Sequence, residues 1–96
     1  LMTQNLEKSI ILAKNNGIKV ILAGMKIPPN YGTQYAKAFE SSFVSLVQKH
    51  DLSFIPFLLK DVAGKAFLNQ ADGIHPNPKG HKIIAVTVFD ILLEQL

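Results

Sequence analysis

The run Ile18-Lys19-Val20-Ile21-Leu22-Ala23 decides how this chain is expected to fold. From Val20 to Ala23 it is continuously apolar rather than alternating, which is typical of a strand covered on both faces, as in a parallel sheet. Residues 53–57 form a second short apolar run and predict a second buried strand. The intervening residues 33–50 read as a helix, and strand, helix, strand in this order predicts a right-handed crossover that joins a parallel pair.

Two further helices are predicted on either side of this unit. In residues 2–15 the apolar side chains recur at spacings of four, four and three, which places them on one helical face (Met2, Leu6, Ile10 and Ala13). The middle helix has its own stripe of this kind (Tyr35, Phe39, Phe43 and Leu46 or Val47). A last helix starts near Pro78 and runs to about Gln95, because Asn77 suits an N-cap and proline suits the first helical position.

The last helix has a broad apolar stripe, which predicts that it is well buried. The residues of that stripe include Ile83, Ile84, Val88, Ile91, Leu92 and Leu96. The predicted order is therefore α-β-α-β-α. Two strands rarely form a stable sheet alone, so we expect an α/β fragment of a larger doubly wound domain whose other strands lie N-terminal to it.

Composition excludes several classes of function. Net charge is +3, yet all ten basic residues are scattered lysines, and arginine, the usual residue for phosphate and base recognition, is absent. The chain has no cysteine, which excludes disulfides and thiol catalysis. No apolar run approaches the roughly 20 residues of a membrane span. We therefore expect neither nucleic-acid binding nor a membrane span.

The segment Asp72-Gly73-Ile74-His75-Pro76-Asn77 holds the residues most suited to chemistry. It follows the second predicted strand, and ligands of parallel α/β sheets gather at the carboxyl ends of strands. A serine hydroxyl is a weak nucleophile that needs a neutral histidine to take its proton, and a carboxylate to orient that histidine. Asp72 and His75 could supply both groups from one tight turn.

Other interpretations of these residues stay open on residue types alone. Asp72 could be a turn-former and His75 a surface residue, since an aspartate and a histidine at this spacing often occur by chance. His81 with Asp72 could suggest a metal site, but the spacing matches no common ligand pattern. His50 is better placed to cap a helix C-terminus than to catalyse.

The block Asp72 to Asn77, followed by Gly80-His81 and an apolar terminal helix, resembles the last conserved block of the SGNH (GDSL) hydrolases. The stretch from Met25 to Gly32, with its Pro28-Pro29-Asn30-Tyr31-Gly32 loop, is similar in particular to the bacterial acyl-CoA thioesterase, arylesterase and lysophospholipase branch. Pro56-Phe57 fits the same branch. The resemblance covers nearly the whole chain and implies a three-layer α/β/α, flavodoxin-like fold with parallel strands.

The resemblance also implies roles for individual residues. Asp72 corresponds to the aspartate of the family's Ser-His-Asp triad, and His75 to its histidine. Ile27 and Pro28 match the loop that borders the acyl-binding cleft, and Ile74 would face the substrate from between the catalytic pair. Packing within the loops is the alternative role for these three residues. The family uses no metal, and no cofactor is expected.

The family's Gly-Asp-Ser nucleophile block and Gly-x-Asn-Asp oxyanion block do not occur in this sequence. Residues 1–96 are therefore expected to be the C-terminal portion of a single SGNH hydrolase domain. The parent protein would hydrolyse small acyl esters or thioesters, with a carbohydrate acetylesterase as the nearest rival. An inert or self-associating fragment is the alternative for this chain by itself. Relatives in this branch are often periplasmic, which suggests a periplasmic or secreted bacterial parent.

Overall fold

The structure, a computed structural model, describes residues 2–27, 30 and 32–96. Its elements in chain order are α1 (Met2–Asn15), β1 (Ile21–Ala23), α2 (Thr33–His50), β2 (Ser53–Ile55) and α3 (Pro78–Gln95). A 3-10 turn, Ala66–Leu68, lies between β2 and α3. The predicted bounds of all three helices are confirmed, and so is the α-β-α-β-α order.

The two strands pair in parallel, as the strand–helix–strand order predicts. The register places Ile21 opposite Ser53, Leu22 opposite Phe54 and Ala23 opposite Ile55. Because a parallel pair needs a long connection, α2 carries the chain from the end of β1 back to the start of β2. The carboxyl ends of both strands therefore lie at the same end of the sheet.

Both strands are shorter than predicted. Ile18 was expected to begin β1, but its N–H donates to the carbonyl of Ala13 at 3.0 Å, so this residue still completes the end of α1. At the other end, Gly24 donates to Ile55 (2.7 Å), and the next bond comes from Leu58 to Gly24 (3.0 Å). The regular ladder ends there, because a parallel ladder would take the bond to the Gly24 carbonyl from Phe57, whereas Leu58, one residue further on, donates it.

Helices α1 and α2 share a core with β1. Ile10, Leu22, Phe43 and Leu46 form one buried cluster. The ring of Phe39 meets that of Phe43 edge-on, with centroids 5.3 Å apart, a geometry that aromatic quadrupoles favour. The predicted stripes are thus largely confirmed, but Met2 and Tyr35 are exposed and do not take part in this cluster.

An ionic cluster joins the same two helices. Glu7 Oε2 on α1 contacts Lys49 Nζ at 2.8 Å and His50 Nε2 at 2.7 Å on α2. These two bonds, that of Lys49 first, hold the pKa of Glu7 below its usual value. Lys14 also donates to the carbonyl of His50, so His50 serves the contact between α1 and the C-terminal end of α2.

The prediction that α3 is well buried is wrong for this chain. Within α3, all of which the structure describes, Gly80 is the one buried residue, and Val86, Phe89, Leu92 and Leu93 are exposed. The helix contacts β2 and the 3-10 turn, and a two-stranded sheet is too narrow to cover so broad a stripe. Among the described helices, none has the length and apolar content needed to cross a membrane.

Replacing Phe43 by alanine should destabilise the fold strongly, because its buried ring is the centre of the α2 core. We expect a loss of about 3–5 kcal/mol in the free energy of unfolding, measured by urea denaturation. Tyr35→Ala removes a large aromatic side chain from the exposed side of the same helix and should change stability by less than about 0.5 kcal/mol. Equal losses in the two variants would contradict the core described above.

Candidate functional site

Asp72 and His75 meet within one tight turn. Asp72 Oδ2 lies 2.6 Å from His75 Nδ1. The other carboxylate oxygen, Oδ1, accepts the backbone N–H of Ile74 at 2.9 Å and that of His75 at 3.0 Å. Gly73 has a φ of 70°, a left-handed value that glycine adopts without strain. The turn thus holds a carboxylate against an imidazole with no help from a distant element.

The bonds to Asp72 favour its ionised form. The bond from His75 and the backbone bonds from Ile74 and His75 together lower the pKa of Asp72 to about 2. An ionised carboxylate can only accept hydrogen bonds, so His75 Nδ1 must carry the proton that it donates. In the neutral ring the lone pair then lies on Nε2, and with a side chain that is 71% exposed His75 can offer that atom to an incoming hydroxyl.

A hydrogen-bonded frame closes the base of the turn. Asn69 and Pro76 form an antiparallel bridge, and the Gln70 N–H donates to the carbonyl of His75 at 2.7 Å. The buried amide of Asn69 donates to the carbonyls of Val62 at 2.9 Å and Lys65 at 2.8 Å. Sequence reasoning missed Asn69, because its importance comes from loop carbonyls that only the folded chain brings within reach.

The start of α3 holds the other side of the frame. Asn77 Oδ1 accepts the N–H of Gly80 at 3.0 Å, which confirms the predicted N-cap, and its Nδ2 donates to the carbonyl of Phe67 at 2.9 Å. A Cβ on Gly80 would lie 2.3 Å from the carbonyl oxygen of Leu68. Glycine is therefore needed for the close approach between α3 and the 3-10 turn.

The predicted substrate-binding residues are not all brought to this turn. Ile74 lies within it and is largely exposed. Ile27 is half-buried and lines a separate cavity of about 520 Å³ beside Phe57, whose walls include neither Asp72 nor His75. Pro28 lies outside the described residues, as does Tyr31 of the same loop.

His81 does not join a metal site with Asp72 in the described ranges. There, no group of three histidine or acidic side chains is arranged to hold a metal ion. The His81 N–H donates to the carbonyl of Asn77 at 2.9 Å, as the first turn of α3 requires.

The chain matches curated proteins that are named as hydrolases, although no protein-family model matches it. An arylesterase of Vibrio mimicus is 34% identical over 95 residues, which cover 99% of this chain and 48% of the arylesterase. A protein of Escherichia coli K12 named thioesterase 1/protease 1/lysophospholipase L1 is 32% identical over 82 residues, covering 85% of this chain and 39% of that protein.

Solved structures of related proteins also match the fold of this chain. The crystal structure of TesA matches 98% of this chain with a TM-score of 0.91 and 34% identity, and this chain covers 52% of it. AlinE4, described as an SGNH-hydrolase family esterase, matches 98% of the chain with a TM-score of 0.69 and 30% identity, and 50% of it is covered. In sequence and in fold, the chain is a relative of SGNH-hydrolase family esterases and corresponds to their C-terminal part.

That correspondence is partial in length. The chain spans about half the length of the arylesterase and of the two solved structures, and a smaller share of the Escherichia coli protein. The expected α/β fold is confirmed by these matches.

His75→Ala should raise the pKa of Asp72, because the bond from His75 is the largest cause of its lowering. In the unaltered chain, we expect the NMR signal of the Asp72 carboxyl carbon to shift with a midpoint near pH 2. In the variant the midpoint should move upward but stay below the ordinary value of about 3.9, since the backbone bonds remain. The hydrogen bonds to ionised Asp72 stabilise the fold at pH values above its ordinary pKa. That stabilisation is lost as the pH falls toward 2.

Carboxyl-detected NMR would follow this titration residue by residue. His81→Ala is the matched control, because it removes a nearby histidine that has no bond to the carboxylate, and it should leave the midpoint of Asp72 in place. A midpoint that did not respond to His75→Ala would show that the bond between Asp72 and His75 is absent in solution.

Asn69→Ala should loosen the frame beneath the turn. The carbonyls of Val62 and Lys65 would each lose one of two donors, because the N–H groups of Lys65 and Leu68 still reach them at 3.2 Å and 3.0 Å. Loss of the two amide bonds should lower the free energy of unfolding by about 1–3 kcal/mol, and the looser turn should raise the midpoint of Asp72. Gln70→Ala removes a neighbouring exposed amide whose one bond, to Pro76, is long at 3.3 Å, and should do neither. If the two variants behaved alike in chemical denaturation and NMR, Asn69 would have no special part in the frame.

Proposed function

We propose that this chain is the acid–base part of an SGNH-type serine esterase or thioesterase, with Asp72 and His75 as two members of its Ser-His-Asp triad. The observation that carries the proposal is the 2.6 Å contact between Asp72 Oδ2 and His75 Nδ1, together with the exposure of the His75 ring. This is the arrangement in which a carboxylate orients the imidazole and leaves the other ring nitrogen free to move a proton.

The chemistry assigned to the pair has two stages. His75 Nε2 takes the proton of a serine hydroxyl as that oxygen attacks the acyl carbon, and then gives the proton to the departing alcohol or thiol. Water, activated in the same way, releases the acyl group from the serine. Asp72 stays ionised throughout, because its pKa of about 2 lies far below neutral pH, and it stabilises the imidazolium formed at each stage.

The nucleophilic serine is assigned to a segment outside residues 1–96. Four serines of this chain lie on helices, two of them bonded to the helix itself: Ser9 donates to the carbonyl of Asn5 and Ser42 to that of Ala38. Ser53 begins β2 and pairs with Ile21. The SGNH relatives are about twice as long as this chain, which leaves room for a serine-bearing half preceding the matched part.

The substrate class rests on the relatives and on the loops near the sheet edge. The names of these relatives, arylesterase and thioesterase 1/protease 1/lysophospholipase L1, indicate small acyl esters and thioesters. Ile74, exposed beside His75, is assigned to substrate contact, and Ile27 and Pro28 to the border of the acyl site. A bacterial, periplasmic or secreted parent protein is part of the same proposal.

Self-association without catalysis is the second candidate, and the exposed apolar face of α3 is the observation that favours it. In that case the Asp72–His75 turn would be a structural remnant. Size-exclusion chromatography with light scattering separates the candidates, since a defined dimer of the chain that has no hydrolase activity with any partner would favour association.

His75→Ala should abolish ester hydrolysis in a hybrid that joins the unmatched N-terminal half of the Vibrio mimicus arylesterase to this chain. Loss of the base should lower kcat for p-nitrophenyl acetate by at least about 10⁴-fold, and Asp72→Asn by a similar factor, because its amide would hold the wrong tautomer. His81→Ala is the matched control and should keep the activity. A hybrid that hydrolysed the ester equally well without His75 would show that the triad assignment is wrong.

A further inference from the structure

The most completely buried side chain among the described residues lies in a loop rather than in the core that α1 and α2 share. Val62 has 0% of its surface exposed, whereas Ile10, Phe43 and Leu46 of that core keep 4%, 5% and 3%. Loops usually run over the surface of a protein, so this inward position is unusual. Residues of this chain enclose Val62 completely, and no segment outside residues 1–96 is needed to cover it.

The loop turns sharply where it carries Val62 inward. The N–H groups of Val62 and Ala63 both donate to the carbonyl of Leu59, at 2.9 Å and 3.0 Å. Asp61, just before Val62, has a φ of 64°, a left-handed conformation that is uncommon for residues other than glycine. Asn69 donates to the carbonyl of Val62 at 2.9 Å. The backbone of Val62 is therefore held by bonds to residues on both sides of it in the chain.

The side chain of Val62 packs on the first turn of α3. Gly80 is buried there, and a Cβ placed on it would lie 3.2 Å from Val62 Cγ1 and 3.1 Å from Pro76 Cβ. Both distances are shorter than ordinary contacts between carbon atoms, so the two side chains lie directly on the backbone of Gly80. Pro76 follows His75 in the chain. Val62 is therefore connected to the histidine through Gly80 and Pro76.

These contacts form a second, smaller core, which we call the loop core and define as Val62, Leu68, Pro76 and Gly80. Val62 and Leu68 belong neither to the buried cluster that α1 and α2 share nor to the half-buried residues packed against that cluster. Leu68 is buried, with 4% of its surface exposed, and its carbonyl accepts the N–H of Asn77 at 3.0 Å. The Asp72–His75 turn therefore rests on the loop core and not on the α1–α2 core.

We propose that Val62 is a positioning residue, which determines where the Asp72–His75 turn lies by acting through Gly80 and Pro76. The turn makes its own hydrogen bonds, so Val62 is not needed to join the two side chains. It is needed to keep His75 Nε2 where an incoming serine oxygen comes within hydrogen-bond reach. This inference rests on the proposed function, since it gives a part in catalysis to a residue that touches no substrate.

Val62→Ala should lower the rate of ester hydrolysis without weakening substrate binding. It removes the methyl groups that pack on Gly80, and the first turn of α3 then moves partly into the space that is left. Because a small displacement of a catalytic group costs much of its effect, kcat should fall about tenfold or more, while KM stays within about twofold. The measurement uses p-nitrophenyl acetate and the hybrid that joins the unmatched N-terminal half of the Vibrio mimicus arylesterase to this chain.

Two further variants of the hybrid separate positioning from stability. Val62→Thr keeps the branched shape but buries a hydroxyl, so it should lower the urea midpoint and keep kcat. Ile10→Ala is the matched control from the α1–α2 core, and it should lower the urea midpoint at least as much as Val62→Ala while keeping kcat. Equal kcat values for Val62→Ala and Ile10→Ala would overturn the proposal, and so would a loss of kcat in Val62→Thr as large as that in Val62→Ala.

Val62→Ile replaces Val62→Ala if the smaller side chain does not fold. Its extra methyl group presses on Gly80 instead of leaving a space beside it. We expect a lower kcat at an unchanged KM here as well, and an unchanged kcat would contradict the proposal.

Amide hydrogen exchange in the chain by itself separates failure of this inference from failure of the proposed function. The N–H groups of Gln70 and Asn77 are bonded to the carbonyls of His75 and Leu68. Val62→Ala should speed their exchange more than that of the amides in α2, and Ile10→Ala should do the reverse.

The two results are read together with the effect of His75→Ala on hydrolysis. Exchange that responds to Val62→Ala, with hydrolysis that does not depend on His75, would leave the loop core standing and remove the triad assignment. Hydrolysis that depends on His75, with a kcat indifferent to Val62→Ala, would keep the triad and remove the part given to Val62.

Discussion

The parallel pairing of β1 with β2 is the constraint on which the rest of the structure depends. Because parallel strands cannot be joined by a tight hairpin, α2 must cross between them, and its apolar stripe, with that of α1, then covers one face of the pair. The same pairing ends both strands at one edge of the sheet. The loop that carries Asp72 and His75 follows from that edge, which is where α/β folds place ligands.

The strand pair determines where the site lies more than it determines the geometry within the site. The carboxylate of Asp72 accepts three hydrogen bonds from within its own turn, so the pair would form in any context that keeps the turn. What the fold adds is a fixed base, in which Asn69 holds the preceding loop and Asn77 starts α3. A preorganised pair in an exposed turn is suited to serve a nucleophile that arrives from another segment.

Within residues 1–96, the apolar face of α3 is uncovered and the proposed triad lacks its serine. An aligned set of large exposed apolar side chains marks a contact face, and the SGNH-hydrolase relatives are about twice as long as this chain. The nucleophilic serine of the proposed triad is likewise assigned to a segment outside residues 1–96.

The sequence by itself determined the three helices, the parallel relation of the two strands, the Asn77 cap and the Asp72–His75 turn, because each is encoded in local periodicity or in contacts between near neighbours. Only the tertiary structure decided that Ile18 completes α1, that Tyr35 is exposed and that the amide of Asn69 supports the turn. The tertiary structure also decided that the apolar stripe of α3 is largely exposed. An apolar stripe indicates that one face of a helix can pack against a neighbour. Which neighbour packs there depends on elements that are distant in the chain or outside it.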